Sequence, residues 1–438
     1  MNTLVPFTNA LWETRNTLAK LDITDTDCVD IKIRVSDLLF YCKNLQTLSI
    51  NVTCSLDTFI GEMEYLDGSY NTLIDVELKT SHTTGQSLRP LLQYCPKIRR
   101  LCLKQCTPDV VDVVDELHNE NLEIFAYNPN FKITSLEEKD KEFYDGPPGL
   151  REIYSSNGGF GAPTDSFLRL LRKNQKSLQI VFANMSITQE QEDRGEPYPN
   201  FKPVYEQWHF ERLQELHYWP DIYNVTPTMY LESIKFCTST SLKRFAAVSA
   251  PNIPIIVDTL MKLPPVEHIE FFYVEYDDDN NYERSLALVE LLETYAALPP
   301  FKQTLHTIWF GYCDFITNDV LDTITQIKTI KIVYFTGTCT VPSHESFLLF
   351  LQKIGHQLIE VMFVNIDHIG DDVLNLLCEM EHLETITLDR ITEITEEGIK
   401  RLVDNAKTLR DLTLDDCIVL SDDTISYINK KIKKVKIY

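Results

Sequence analysis

Positive charge is scarce in this 438-residue chain: 41 Lys and Arg stand against 65 Asp and Glu, a formal net charge of −24. A polyanion is bound by compensating positive charge, so the balance argues against nucleic acid and against anionic membrane surfaces as partners. Long apolar runs are also missing. No stretch approaches the roughly 18 uninterrupted apolar residues of a membrane span. The opening MNTLVPFTNALWETRNTLAKL holds neither a basic start nor an apolar centre, which argues against a secretory signal. Glycine is rare, 14 residues in all, and apolar residues make up 44%. That composition is globular, not fibrous or disordered. The expected setting is a reducing compartment, cytoplasmic or nuclear, with free thiols. Sequons at Asn51, Asn184 and Asn224 then read as chance matches.

Catalytic and metal-binding signatures are absent as well. The eleven Cys include no C-x2-C pair; Cys102 and Cys106 are the closest. A free Cys packs as a small hydrophobe, and that reading is preferred to zinc. There is no HExxH and no GxSxG. The Gly-rich stretch after Ser155 has no Lys-Ser or Lys-Thr at the spacing of a phosphate loop, so it reads as a turn entering a helix. The acidic run from Tyr276 to Tyr282 fails as a calcium loop. It offers Tyr282 where a Gly is needed and Leu288 where a bidentate Glu is needed. No enzyme activity, cofactor or metal is expected.

What is present is a repeat. An apolar residue, two others, an apolar residue, one other and an apolar residue recur sixteen times. The clearest copies are Leu45-Leu48-Ile50, Ile98-Leu101-Leu103, Leu383-Ile386-Leu388 and Leu409-Leu412-Leu414. One copy is phased on Ile327-Ile330-Ile332. First residues run from Leu18 to Ile432 and lie about 28 apart on average, within the leucine-rich-repeat range. Between copies lie helical patterns, such as Phe167, Leu170 and Leu171, or Ile399, Leu402, Val403 and Ala406. A unit of strand, loop, helix and return buries its apolar side only by stacking on its neighbours. The fold expected is an α/β leucine-rich-repeat solenoid, a curved horseshoe with a concave parallel sheet and convex helices.

The expected organisation is a short cap over 1–17 and one repeat domain of about sixteen units over 18–438. Long insertions are expected near 186–210 and 274–300, the first containing Glu190 to Asn200. Ile432-Val435-Ile437 reads as a terminal strand whose edge is shielded by Lys430, Lys431, Lys433, Lys434 and Lys436.

The later units carry more than leucines. Leu409 to Cys417 leads into Ser421-Asp422-Asp423, and Phe310-Gly311-Tyr312-Cys313 into Thr317-Asn318-Asp319. The stretches Leu388 to Ile399 and Asn365 to Leu374 are variants. This pattern resembles the cysteine-containing leucine-rich repeats of F-box proteins, in the ribonuclease-inhibitor-like superfamily, over roughly the last third of the chain. The resemblance implies a substrate receptor for a Skp–cullin–F-box ubiquitin ligase. No F-box is found, since repeats begin by Leu18, so a Skp–cullin core is expected only if an F-box is supplied upstream. The alternative is a stand-alone adaptor or inhibitor.

Strand residues between the core leucines should line the concave face. In the middle units these are Tyr154, Phe182, His217, Trp219, Phe272, Trp309 and Met362, flanked by acidic positions such as Asp75, Glu77, Asp389, Asp411 and Asp415. Grouped aromatics mark interaction surfaces. These seven are the candidate partner-binding residues, for a protein with apolar and basic features.

Overall fold

The computed structural model describes residues 11–25, 34–52, 68–117, 120–129, 133, 136–140, 144–155, 162–186, 210–220, 241–248, 253–272, 281–337, 343–367, 369–417 and 420–437. The described residues fall into two compact units, one up to residue 220 and one from 241.

Unit 1 holds β1 (Lys20–Asp25), β2 (Thr47–Val52), β3 (Asp75–Thr83), β4 (Arg100–Cys106), β5 (Ile124–Tyr127) and β6 (Glu152–Ser155). It continues with β7 (Ala162–Pro163), β8 (Ile180–Ser186) and β9 (Glu215–Pro220). All pair in parallel, each with the next in sequence, except that β6 joins β8 directly and the two-residue β7 lies beside β8. Unit 2 holds β10 (Arg244–Val248), β11 (His268–Phe272), β12 (Thr307–Gly311), β13 (Ile332–Thr336) and β14 (Glu360–Val364). It ends with β15 (Thr385–Asp389), β16 (Asp411–Asp415) and β17 (Lys434–Ile437), again parallel and sequential. The fold is an α/β leucine-rich-repeat solenoid. No helix of the described residues is long and apolar enough to cross a membrane.

Register explains the stacking. Leu48, Val76, Leu101, Phe125, Ile153 and Val181 stand opposite one another across unit 1. Ile308, Val333, Val361, Ile386 and Leu412 do the same in unit 2, and all are buried. Fifteen of the sixteen sequence triplets fall in this phase. The exception is Ile327-Ile330-Ile332: Ile332 opposes Thr307, while Val333 and Phe335 take the core positions. The true triplet is Ile330-Val333-Phe335, and both triplets satisfy the pattern.

Helices cover the core side of the sheet. In unit 2 they are Asn281–Ala296, Asn318–Ile324, His344–Ile354, Asp371–Cys378, Glu396–Asn405 and Asp422–Lys431, preceded by Ile253–Leu260. The side chains of Thr317, Ser343, Thr395 and Ser421 accept from the amide three residues on and so cap four of them. Asn281 and Tyr282, expected in an acidic loop, begin the longest of these helices. Residues 187–209, nearly all of the first expected insertion, lie outside the described residues, as do 273–280 at the start of the second; most of the second is the helix Asn281–Ala296.

Neighbouring units also exchange carboxylates at helix starts, where the macrodipole favours negative charge. Asp371 accepts from the Thr395 amide (2.8 Å) and hydroxyl (2.6 Å), and Glu396 accepts from Ser421 (2.7 Å) and Thr424. Hydrogen bonds from Thr424, Lys400 and Ser421 lower the Glu396 pKa from 4.5 to about 2. A depressed carboxylate pKa stabilises the fold fully above the unfolded value and loses that contribution as pH falls through the folded one. The Tm difference between wild type and Glu396→Gln should therefore be constant above pH 4.5 and close as pH falls to about 2. Thermal melts across that window measure it, and a difference that persists at pH 2 would refute it.

Strands β12 to β16 each leave the sheet through a left-handed residue: Tyr312 (φ 55°), Gly337 (79°), Asn365 (50°), Arg390 (51°) and Asp416 (46°). This conformation costs a non-glycine residue about 1–2 kcal/mol. A forward hydrogen bond offsets it. The Tyr312, Gly337, Asn365 and Arg390 amides donate to Thr336, Val364, Asp389 and Asp415 carbonyls of the next strand, at 2.7–2.8 Å. Cys313 and Cys417 follow these turns and direct their thiols at backbone carbonyls of Gly311 (3.4 Å) and Asp415 (3.2 Å). Burial pushes the Cys95 thiol up to about 12. Cys54 lies outside the described residues.

Unit 1 departs from the pattern between β5 and β6. Helices Gly85–Tyr94, Asp109–Leu117 and Thr164–Lys173 cover its core side, but between β5 and β6 the described residues hold only the four-residue helix Leu136–Lys139. Across that gap Asp109–Leu117 meets Thr164–Lys173 directly. Asp115 accepts from Arg169 Nε and Lys173 Nζ, both at 2.6 Å, and Asp112 from Ser166.

Candidate functional site

The helix-free face carries six of the seven candidate residues, and the two units treat it differently. In unit 1, Tyr154, Phe182 and His217 occupy equivalent positions on β6, β8 and β9. Phe182 stacks on His217 at 3.7 Å between centroids and contacts Tyr154 at 5.0 Å. Tyr154 is only 5% exposed and His217 9%. Trp219 lies in β9, but its side chain is not among those described.

Tyr154 is buried by residues of the segment between β5 and β6. Ile133 and Leu136 pack with Cys102, Ile124, Ala126 and Tyr154 in one buried cluster, with Ile180 and Phe182 at its edge. These sheet residues all belong to the helix-free face. Glu152 on β6 is 1% exposed and receives Lys139 Nζ (2.8 Å) and the Tyr154 hydroxyl (2.8 Å). Arg99 grips Asp140 through two hydrogen bonds of 2.7 and 3.1 Å. Burial, then the Glu152 carboxylate, raise the Tyr154 pKa well above the ordinary phenol value. The middle of this face is covered by the chain's own strap.

The acidic start of unit 1 is neutralised internally. Arg100 pairs with Asp75 (2.7 Å) and Glu77 (2.9 Å), and Lys104 also reaches Glu77 (2.9 Å). Burial opposes ionisation of Glu77, but hydrogen bonds from Lys104 and Arg100 outweigh it and hold the carboxyl below its usual pKa.

In unit 2, Trp309, Tyr334 and Met362 occupy equivalent positions on β12, β13 and β14, each half-buried. Phe272 meets Trp309 edge to face at 5.6 Å, and Trp309 meets Tyr334 the same way at 5.5 Å. The polar atoms are engaged within the sheet. Trp309 Nε1 donates to Thr336 Oγ1 (3.0 Å), and the Tyr334 hydroxyl to Glu360 Oε1 (2.7 Å). Burial, then this acceptor, raise the Tyr334 pKa. Outward contact is left to ring faces and the Met thioether. Gly311 makes room: a Cβ there would lie 2.1 Å from the Phe272 ring.

The rings touch edge to face, so the patch has no slot for a cation between aromatic walls. It is a preorganised apolar surface. Carboxylates rim it: Glu270, held by Arg244 (3.1 Å), then Glu360, Asp389 and Asp411. Tyr334 was not among the seven sequence candidates because its repeat was misphased by three residues. Spacing carries the missing signal. Phasing on Ile330 divides the interval from Leu305 to Leu358 into 25 and 28 residues, where Ile327 divides it into 22 and 31. Among the described residues, no group of three or more His, Cys, Asp or Glu could hold a metal ion.

No family model matches the chain, and no curated protein matches it. Solved structures of similar fold include a leucine-rich-repeat protein of Leptospira interrogans, at 12% identity and TM-score 0.37 over 98% of each chain. Another is a chain of the yeast Rad7 and Elc1 complex, at 13% identity and TM-score 0.46 over 83% of this chain and 75% of that one. A leucine-rich-repeat-containing protein of Legionella pneumophila shows 14% identity and TM-score 0.34, over 55% and 88%.

Proposed function

We propose that the chain is a non-catalytic protein-binding module. Its docking face is Phe272, Trp309, Tyr334 and Met362 of unit 2. The observation that carries this reading is a half-buried aromatic row whose polar atoms are already satisfied within the sheet. Rings held edge to face lose little freedom on binding, and an apolar centre with a polar rim is the usual anatomy of a protein interface. The acidic rim favours a partner with aliphatic or aromatic anchors flanked by Lys or Arg. On unit 1, Phe182, His217 and Trp219 are proposed as a separate contact set, with Tyr154 supporting it from the adjacent strand.

The finer reading is substrate recognition for a Skp–cullin–F-box-type ubiquitin ligase. It rests on the likeness of the Cys313 and Cys417 units to F-box-protein repeats. The alternative is an adaptor or inhibitor with no ligase. Affinity capture with quantitative mass spectrometry tests both. A specific partner should fall away with Trp309→Ala/Tyr334→Ala, because central aromatic anchors cost at least about 2 kcal/mol on truncation, close to a 30-fold loss. Capture unchanged by the double variant sinks the docking face. Co-purifying Skp and cullin subunits support the ligase reading, and a partner without them supports the adaptor.

A further inference from the structure

The strap of unit 1 shows what its helix-free face binds. Ile133 and Leu136 fill an apolar site built by Cys102, Ala126 and Tyr154, and Lys139 reaches the buried Glu152 carboxylate at 2.8 Å. Asp140 is held outside by Arg99. These contacts have the form of a short peptide on a sheet face: two aliphatic side chains three residues apart, then a cation three residues later. The occupant comes from the interval between β5 and β6, whose described residues place no helix on the core side, and the core side there is closed without it by the Asp115, Arg169 and Lys173 contacts.

We propose that this strap is an exchangeable internal ligand. The face beneath it is a second protein-binding site, for a partner segment with aliphatic residues at i and i+3 and Lys or Arg at i+6. The strap and the partner segment compete, so the site is open only when the strap is displaced. Glu152 selects for the cation, since a buried carboxylate requires a charged or hydrogen-bonding counterpart. This site is independent of the aromatic face of unit 2.

The test uses the full chain and a labelled peptide with the sequence of residues 131–141, followed by fluorescence anisotropy. Ile133→Asp/Leu136→Asp should free the face and bind the peptide at least ten-fold more tightly than wild type. A peptide with Asp at both aliphatic positions should not bind. Adding Glu152→Gln should weaken binding by a further ten-fold or more. In wild type, hydrogen exchange at residues 133–140 should be faster than in β5 and β6. A folded strap variant that ignores the peptide overturns the proposal. So does one that no longer folds, or a strap as protected as the strands, because the segment is then fixed core.

Discussion

Phe335→Ala should cost about 3–5 kcal/mol, the range for emptying a large aromatic site in a core. Phe335 is 0% exposed, and its ring contacts those of Phe310, Phe347, Phe350 and Phe363 at 5.7–6.5 Å. It joins three successive strands to the helix His344–Ile354. Neither the hydrogen-bonded strands nor that helix can close the void without breaking register. The neighbour provides the control. Tyr334 points to the opposite face, so Tyr334→Ala should cost only about 1 kcal/mol, the worth of one hydrogen bond, while impairing binding. Urea denaturation of the two variants separates them. Equal losses of stability would contradict the rephased register of β13.

Gly311→Ala is the second large effect, because one methyl group has nowhere to go. Its carbon would lie 2.1 and 2.2 Å from two atoms of the Phe272 ring and 2.9 Å from Thr336 Oγ1. Overpacking of this kind typically costs about 1–3 kcal/mol. The ring must swing away, abandoning its edge contacts with Trp309 and Tyr312. Thr336 must also give ground, and it accepts the Trp309 indole bond. Partner affinity should therefore drop together with stability. Phe272→Ala removes the larger obstacle, so Gly311→Ala should cost clearly less in that background, where only the 2.9 Å contact with Thr336 Oγ1 remains. A double-mutant cycle by chemical denaturation reads this coupling directly. Equal costs of Gly311→Ala in both backgrounds would show that the ring is not the obstacle.

The core rows were legible in the sequence because burial on one side of a parallel strand imposes a spacing that leucine, isoleucine and valine all satisfy. The same tolerance misled at Ile327, where a run of isoleucines fits two phases; the more even spacing favours Ile330, and the pairing of Ile332 with Thr307 establishes it. Phe272, Trp309 and Met362 were legible from strand alternation; Tyr334 was lost to the phase error. The fate of Tyr154 was not legible. Its cover comes from Ile133 and Leu136, and nothing in their spacing says which side of the sheet they visit. The ion pairs that neutralise Asp75 and Glu77 were missed because their partners, Arg100 and Lys104, lie a whole unit away. Residues about 25 apart become neighbours only once the chain has coiled.

Four of the left-handed turns of unit 2, at Tyr312, Gly337, Asn365 and Arg390, are fastened through their backbone amides by the strand that comes after them. The arrangement has a direction. During synthesis on the ribosome, every new turn waits unlatched until the following repeat emerges to hook it. Under mechanical load, peeling a repeat from the C-terminal end leaves the turn before it unlatched in the folded remainder, whereas peeling from the opposite end leaves every remaining latch closed.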